Sequence, residues 1–250
     1  MDDIPDELFD KDTEDFLNLR LDCKGPPVPP KFPHPLTLKD AGENETWVFR
    51  MYRMLRPISL TCKACTMCDL GRKMHEQNSR KFDPHVFSNM NPSKFVVVGQ
   101  NPGFNECIED QPFVGESGKF FNKIVEENGL ARRDFYISNC VRCHTMGNES
   151  PNNNHKSKCE PFLRLEIGLL NPSLVITLGA HSFDVFCPDK KLSDSLGTIV
   201  ESEKFGVKVY PIYHPSPRNM SNGDRKDKFI ADVSKLCRLI QLLRSRESSQ

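Results

Sequence analysis

The chain has 250 residues, of which 37% are hydrophobic and 27% charged, and its 34 basic side chains balance 34 acidic ones. This composition excludes a collagen, a coiled coil and a wholly disordered chain, and the length suits one large domain with an appendage or two small domains. The acidic start at Met1 resembles no signal or transit peptide, and no apolar run approaches the ~20 residues that span a bilayer. We therefore expect an intracellular protein with no membrane partner, nuclear in a eukaryote and otherwise cytoplasmic.

The zero net charge hides an uneven distribution of charge along the chain. Residues 1–17 contain eight acidic side chains and one basic side chain, Lys11, so this segment carries about −7 and the remainder about +7. A mildly basic body behind an acidic arm is compatible with a polyanionic partner.

Residues 1–50 are predicted to be a disordered tail. The acidic segment is followed by a proline-rich stretch, Gly25–Pro35, which favours extended polyproline conformations over helix or sheet. The alternative is a short amphipathic helix over Glu7–Leu21, which would dock an unknown protein.

The rest of the chain alternates short apolar runs with helical patterns. In chain order these patterns predict strand Phe95–Val98, helix Ser117–Gly129 with Ser117 as its cap, strand Phe135–Val141, helix Lys156–Leu170, strand Leu174–Leu178, helix Ala180–Phe186, strand Val207–Tyr213 and a closing amphipathic helix with an apolar face from Phe229 to Leu243. Apolar strands that alternate with helices indicate a mostly parallel sheet covered on both faces. In such folds the functional loops follow the carboxyl ends of the strands.

The first candidate loop directly follows the first strand. It reads Gly99-Gln100-Asn101-Pro102-Gly103 and continues through Glu106 to the run Pro112–Gly115. A nucleotide phosphate loop ending in Gly118-Lys119 would need a glycine five positions before Gly118 and a metal-binding Ser or Thr after Lys119. Phe113 and Phe120 stand at those two positions, so this kind of loop is excluded. A tight turn with a purely structural role is the alternative interpretation.

The second candidate loop, Tyr213–Asn219, follows the last predicted strand. Two prolines flank Ser216 and stiffen the segment that carries His214. A histidine at a strand end could merely cap a core carbonyl, but basic residues follow here and suit a phosphate backbone. They are Arg218, Arg225, Lys226 and Lys228.

Six of the ten cysteines are clustered in a spacing typical of metal ligands. Cys62, Cys65 and Cys68 are followed far downstream by Cys140, Cys143 and Cys159, whereas Cys23, Cys107, Cys187 and Cys237 are isolated. Four thiolates suit a tetrahedral zinc ion or a four-iron, four-sulfur cluster. Separate buried thiols are the alternative.

Taken in order, these motifs resemble the uracil-DNA glycosylase superfamily, most closely its iron–sulfur branch, called family 4. The resemblance covers roughly Leu60–Leu243. It depends on Cys65-x2-Cys68 with Leu70 and Arg72, Val98-Gly99-x2-Pro102-Gly103, Gln111–Gly115 followed by x2-Gly118, Tyr136-Ile137-x-Asn139-x3-Cys143, Cys159-x-Pro161, Leu178-Gly179 and His214-Pro215. Gln100 and Asn101 depart from the usual Glu and Ala or Gly of that branch. Asn101 before Pro-Gly is similar to the mismatch-specific and single-strand-selective branches, and the run His214–Asn219 is similar to the single-strand-selective branch.

The resemblance implies a three-layer α/β/α fold over residues 51–250, with a central, mostly parallel four-stranded sheet. It also implies a monomeric DNA glycosylase that flips uracil out of DNA and hydrolyses its N-glycosidic bond, which initiates base excision repair. A non-catalytic module that binds nucleic acid or protein on the same fold is the alternative, while the missing phosphate-loop residues argue against a zinc-stabilised nucleotide hydrolase.

The resemblance also implies roles for individual residues. Phe113 would stack on the flipped base, Asn139 would read its edge, and His214 would face the leaving pyrimidine oxygen. Glu106 would position the attacking water, with Asn101 as the alternative. The remaining assignments are Gln100, Gly99 and Gly103 to substrate binding, Ser216, Arg218 and Arg225 to DNA binding, and Cys65, Cys68, Cys143 and Cys159 to a [4Fe-4S] cluster, with zinc as the alternative cofactor.

Overall fold

The computed structural model describes residues 47–76, 85–145, 147 and 149–247. The predictions for the acidic tail lie outside this part of the chain, including the helix over Glu7–Leu21, the proline-rich stretch and Cys23. Within the described residues, no helix is long and apolar enough to cross a membrane.

A five-stranded sheet forms the centre of the protein. Its strands are β1 Phe95–Gly99, β2 Tyr136–Asn139, β3 Leu174–Leu178, β4 Val200–Ser202 and β5 Val207–Ile212, in the spatial order β2-β1-β3-β5-β4. The four predicted strands pair in parallel, for example Gly99 with Asn139 and Leu178 with Ile212. The short β4 adds an antiparallel edge strand that the sequence analysis did not include. Only its last residue is buried, so it lacks the apolar run that marked the others.

Helices cover both faces of the sheet. They are α1 Trp47–Lys63, α2 Asp69–Glu76, α3 Phe104–Glu109, α4 Glu116–Glu127, α5 Asn153–Leu170, α6 Ala180–Phe186, α7 Leu192–Ser195, α8 Pro217–Met220 and α9 Gly223–Glu247, with a 3₁₀ turn at Arg132–Asp134. Successive β1 residues join different cores, because side chains alternate across a strand. Val96 packs with apolar residues of α1, α5 and α6, and Val97 packs with those of α4 and α9. This is the predicted three-layer α/β/α arrangement.

Two helix starts differ from the predictions. Helix α4 begins at Glu116 with Gly115 as its N-cap, and Ser117 does not cap it. The carboxylate of Glu106, in the preceding helix, accepts the free N–H group of Gly115 instead. Helix α5 begins three residues earlier than predicted, because the Asn152 side chain accepts the N–H of His155 and caps it.

The sheet delivers four loops to one edge. Strands β1, β2, β3 and β5 end at Gly99, Asn139, Leu178 and Ile212, and parallel strands present their carboxyl ends together. Beyond the paired strands, Cys140 and Val141 still donate to the carbonyls of Gly99 and Gln100. These bonds fix the first candidate loop against the end of β2.

Candidate active site

A cavity of about 810 Å³ lies at the carboxyl edge of the parallel strands. Ten of the residues assigned from sequence to catalysis, substrate binding or DNA binding line it, namely Gln100, Asn101, Gly103, Glu106, Phe113, Asn139, His214, Ser216, Arg218 and Arg225. Gly99 lies directly behind the lining residues. A Cβ on Gly99 would come within 2.4 Å of the Phe113 ring and 2.6 Å of Asn139 Oδ1, so only glycine lets these two groups approach β1.

Asn139, the last residue of β2, presents an amide without protein partners. The residue is 1% exposed, and neither Oδ1 nor Nδ2 makes a hydrogen bond within the part of the chain that the structure describes. A buried amide without partners is costly, so buried polar groups are nearly always paired in folded proteins. Because Asn139 lines the cavity, its donor and acceptor are available to a bound molecule.

Phe113 occupies the left-handed region of backbone space, with φ of 56°. Such a conformation is strained for a non-glycine residue and needs support from its surroundings. Gly118 provides space, because a Cβ there would lie 1.9 Å from the Phe113 carbonyl oxygen. The Arg132 guanidinium donates to the carbonyls of Pro112 and Phe113, the second bond at 3.1 Å. The ring is thereby held against Gly99 in the cavity wall.

Arg132 was not identified in the sequence analysis. It lies in the 3₁₀ turn after α4, where the Arg132-Arg133 pair looks like ordinary surface charge. Burial lowers the pKa of Arg132, while the nearby Glu106 and Glu109 carboxylates oppose that shift. No local motif links this residue to Phe113, 19 positions earlier.

Glu106 projects from α3 towards the turn before α4. Its Oε1 accepts the N–H groups of Val114 at 3.1 Å and Gly115 at 2.8 Å. Its Oε2 lies against Gly103, where a Cβ would be only 2.6 Å away. The carboxylate therefore has a fixed orientation, yet it is partly exposed and borders the cavity. Its remaining lone pairs can accept hydrogen bonds from water.

Asn101 is the other residue assigned to water positioning. Its Nδ2 donates to the carbonyl of Pro102 and to Thr145 Oγ1, each at 3.2 Å. These bonds leave Oδ1 as the side-chain atom able to accept from water. Both sequence-derived alternatives therefore line the cavity, and each offers an oxygen there.

His214 lies across the cavity from the first loop. Its ring centre is 6.3 Å from that of Phe113, and its carbonyl accepts the Asn219 side-chain N–H at 2.9 Å. Burial, assisted by the neighbouring His181, lowers the pKa of His214 to about 4. The imidazole is consequently neutral at pH 7 and can donate one ring N–H. His181 also lines the cavity, and its position just after β3 was the sequence signal that could have identified it.

The basic residues stand at the cavity rim. Arg225 donates to Asn219 Oδ1 at 3.0 Å, and its guanidinium lies 5.8 Å from the Tyr213 ring centre. Ser216 caps α8 by accepting the Asn219 N–H at 3.4 Å, while Arg218 is exposed. Hydrogen bonds thus order two of the three predicted DNA-binding residues.

The four cysteines assigned to the cofactor belong to the same hydrophobic core cluster. Cys65, Cys68, Cys143 and Cys159 are all buried, and Cys159 interacts electrostatically with each of the other three. A hydrogen bond from Cys143 lowers the pKa of Cys68 to about 6, whereas burial raises the pKa of Cys159 to about 12. Cys62 is a fifth thiol in this group, since it interacts with Cys65 and Cys159.

Cys140 lies in the same core cluster but has a different hydrogen-bond partner. Its thiol donates to the Gln100 carbonyl at 3.1 Å, which places it against the substrate-side loop. Among the described residues, no group of three or more His, Cys, Asp or Glu side chains is arranged to hold a metal ion. The chemistry of the donors nevertheless suits an iron–sulfur cluster or zinc, because the gathered thiols are soft ligands in a buried site.

Comparisons with known proteins agree with the motifs. A family model for the uracil DNA glycosylase superfamily matches residues 86–236. The type-4 uracil-DNA glycosylase of Thermotoga maritima is 31% identical over 184 residues, which cover 69% of this chain and 88% of that protein. That of Saccharolobus solfataricus is 32% identical over 160 residues, covering 60% and 74%. The type-5 uracil-DNA glycosylase of Pyrobaculum aerophilum is 28% identical over 123 residues, covering 48% and 53%.

Proposed function

The chain belongs to the uracil-DNA glycosylase superfamily, and we propose that the cavity described above is where it excises uracil from DNA. The enzyme is a hydrolase of N-glycosidic bonds, and removal of uracil initiates base excision repair. The observation that best supports the site is the unpaired amide of Asn139 beside the Phe113 ring, at the base of an open cavity.

Base recognition requires the uracil to leave the helical stack. Unstacking and unpairing cost a few kcal/mol, and stacking on an aromatic side chain returns about 1–3 kcal/mol. Phe113 supplies that aromatic surface. Because its strained backbone is already held by Arg132 and Gly118, the ring need not be ordered when the base enters.

Asn139 supplies the specificity for uracil. Its Nδ2 can donate to uracil O4 while its Oδ1 accepts from N3–H, so both unpaired atoms gain partners. Cytosine carries a donor and an acceptor in the reverse arrangement and would leave all four groups unsatisfied. A bidentate pair of this kind discriminates by about 1–3 kcal/mol.

Cleavage of the glycosidic bond leaves positive charge on the sugar and negative charge on the departing uracil. His214, held neutral, donates an N–H towards the pyrimidine O2, where that charge develops. A preorganised donor in a water-poor site stabilises such charge more effectively than solvent. Glu106 accepts a proton from the attacking water and directs the water at C1′. The two backbone N–H groups that donate to its carboxylate fix the orientation of that carboxylate.

Arg218 and Arg225 bind phosphates on either side of the flipped nucleotide, which gives a salt-dependent contribution to affinity. The catalytic unit is the segment assigned as residues 51–250, although helix α1 already begins at Trp47. We expect it to act as a monomer in the compartment that holds the DNA, with the acidic tail available to another protein.

Cys65, Cys68, Cys143 and Cys159 would hold a [4Fe-4S] cluster. The hydrolysis requires no electron transfer, so the cluster needs no redox role. When bound, it would supply a covalent cross-link between distant segments. Through it, these residues would join the segment after α1 to the segment after β2 and to α5. The cofactor is therefore structural in this proposal.

Replacing any one of these four cysteines by alanine is expected to abolish most of the broad absorbance near ~400 nm and to reduce the bound iron. Cys140→Ala is the matched control, because that buried thiol bonds to Gln100 instead, and it should retain both signals. Absorbance and iron analysis of the purified variants provide the measurement. A colourless wild-type protein with stoichiometric zinc would contradict the iron assignment, and loss of iron in Cys140→Ala would contradict the ligand set.

The proposed activity is tested with single- and double-stranded oligonucleotides that contain one uracil. The enzyme should convert uracil sites to abasic sites, which alkali then cleaves, and leave thymine and cytosine controls intact. Tight binding to these oligonucleotides without any cleavage would instead support a non-catalytic binding module on the glycosylase fold.

A further inference from the structure

A buried ion pair joins the cysteine segment to the first active-site loop. Lys63 Nζ lies 2.7 Å from Asp110 Oδ1, and the two side chains are only 3% and 9% exposed. Lys63 is the last residue of α1 and lies between Cys62 and Cys65 in sequence. Asp110 is the residue that ends α3, the helix that carries Glu106.

The lysine end of this pair is built into the thiol region. Lys63 Nζ also donates to the carbonyl of His85 at 3.3 Å. The His85 ring lies 3.2 Å from the carbonyl of Cys65, and His85 forms an isolated antiparallel bridge with Cys143. The ammonium is therefore held relative to two of the three segments that contribute cysteines.

The aspartate end is built into the loop of the active site. Asp110 has φ of 52°, and its N–H donates to the carbonyl of Glu106, as does that of Gln111. Phe113 follows three residues later in the same unusual conformation. The direction in which the chain leaves α3 thus sets the positions of both Glu106 and Phe113.

We propose that Lys63 and Asp110 are positioning residues, which fix the loop bearing Glu106 and Phe113 relative to the cysteine segment. The inference deepens the proposed function and rests on it for the effect on rate. The pair can fix the position of the loop because it is buried. Two desolvated charges interact strongly only within a small range of distances and angles. A hydrophobic pair at this place could stabilise the fold equally well, but it would not fix the direction of the turn.

The decisive variants are Lys63→Met and the double variant Lys63→Met with Asp110→Asn. The single variant removes the cation beside the buried Asp110 carboxylate and should lower the melting temperature and the excision rate. The double variant removes both charges while Asn tolerates the left-handed conformation, so its melting temperature should return towards that of the wild type. Its single-turnover excision rate should stay at least about tenfold lower, with iron content unchanged. Asp110→Asn alone should fold and show a smaller loss of rate, because Lys63 can still donate to the amide oxygen.

Hydrogen exchange read by mass spectrometry distinguishes this inference from the proposed activity. In the double variant, exchange should accelerate in residues 104–115 but not in β3, whether or not the wild type excises uracil. The control is a variant of the exposed pair Lys123–Glu127 with both charges removed. It should change neither the exchange in residues 104–115 nor the excision rate. Recovery of both melting temperature and rate in the double variant would overturn the proposal. Loss of iron, or unchanged exchange in residues 104–115, would overturn it as well.

Discussion

Replacing Glu106 by glutamine is expected to slow uracil excision by about 10²-fold or more under single-turnover conditions, the scale of a lost general base. Glutamine preserves the local fold, because its amide oxygen can still accept the N–H groups of Val114 and Gly115. It places an NH2 group where Oε2 now stands beside Gly103, and that group cannot take a proton from water. Substrate binding should change little, since Glu106 makes no contact with the base edge in the proposed mechanism.

Asn101→Ala is the comparison that tests this assignment. Asn101 also lines the cavity, but a neutral amide only orients water, so its loss should cost about tenfold or less. Both variants are measured on the same single-stranded uracil oligonucleotide, which avoids any effect on strand separation. If Asn101→Ala slows the reaction as much as Glu106→Gln does, the amide is the principal water-positioning group. If neither variant slows it, the assignment of the loop is wrong.

The sequence predicted the frame of this site because its signals are local. Apolar runs that end in glycine or a polar residue marked β1, β2, β3 and β5. Parallel pairing then brings the residues after those runs to one edge, whatever the details of packing. The cavity therefore contains nearly every residue predicted to face substrate or DNA. Their individual roles stay predictions, because the geometry places the groups without testing the chemistry.

The supports of the site could not be predicted in the same way. Arg132 bonds to a carbonyl 19 residues away, and Lys63 pairs with a side chain 47 residues away. In sequence each is one more charged residue among many, and only tertiary packing distinguishes it. The wrong cap prediction has the same cause: Ser117 suited the local pattern, but the carboxylate of Glu106 took the role from another helix.

The cysteines show how far spacing alone can discriminate. The sequence offers Cys62 and Cys140 as local substitutes for two proposed ligands. The structure places Cys140 against the Gln100 carbonyl, which gives a physical reason to leave it out of the ligand set. Cys62 lies within the thiol group, so it stays an alternative that packing does not remove.

Replacing Asn139 by aspartate is expected to reduce uracil excision by about 10²-fold, near the upper end of the 1–3 kcal/mol that a bidentate contact supplies. The carboxylate has the same shape as the amide but no donor for uracil O4. It also introduces a negative charge at a position that is only 1% exposed. Two acceptors would then face each other. The same change offers an acceptor to the exocyclic amine of cytosine, so weak cytosine excision should appear in the variant alone. Single-turnover assays on uracil and cytosine oligonucleotides measure both effects.

Asn122→Asp is the matched control for this prediction. Asn122 lies in α4 outside the cavity lining, and its buried Oδ1 likewise has no hydrogen-bond partner among the described residues. An added carboxylate there should affect the melting temperature more than the choice of base. Equal losses of activity in the two variants would mean that Asn139 acts through stability. A wild-type rate on uracil in Asn139→Asp would show that this side chain does not read the base, and recognition would then have to come from the backbone of the first loop.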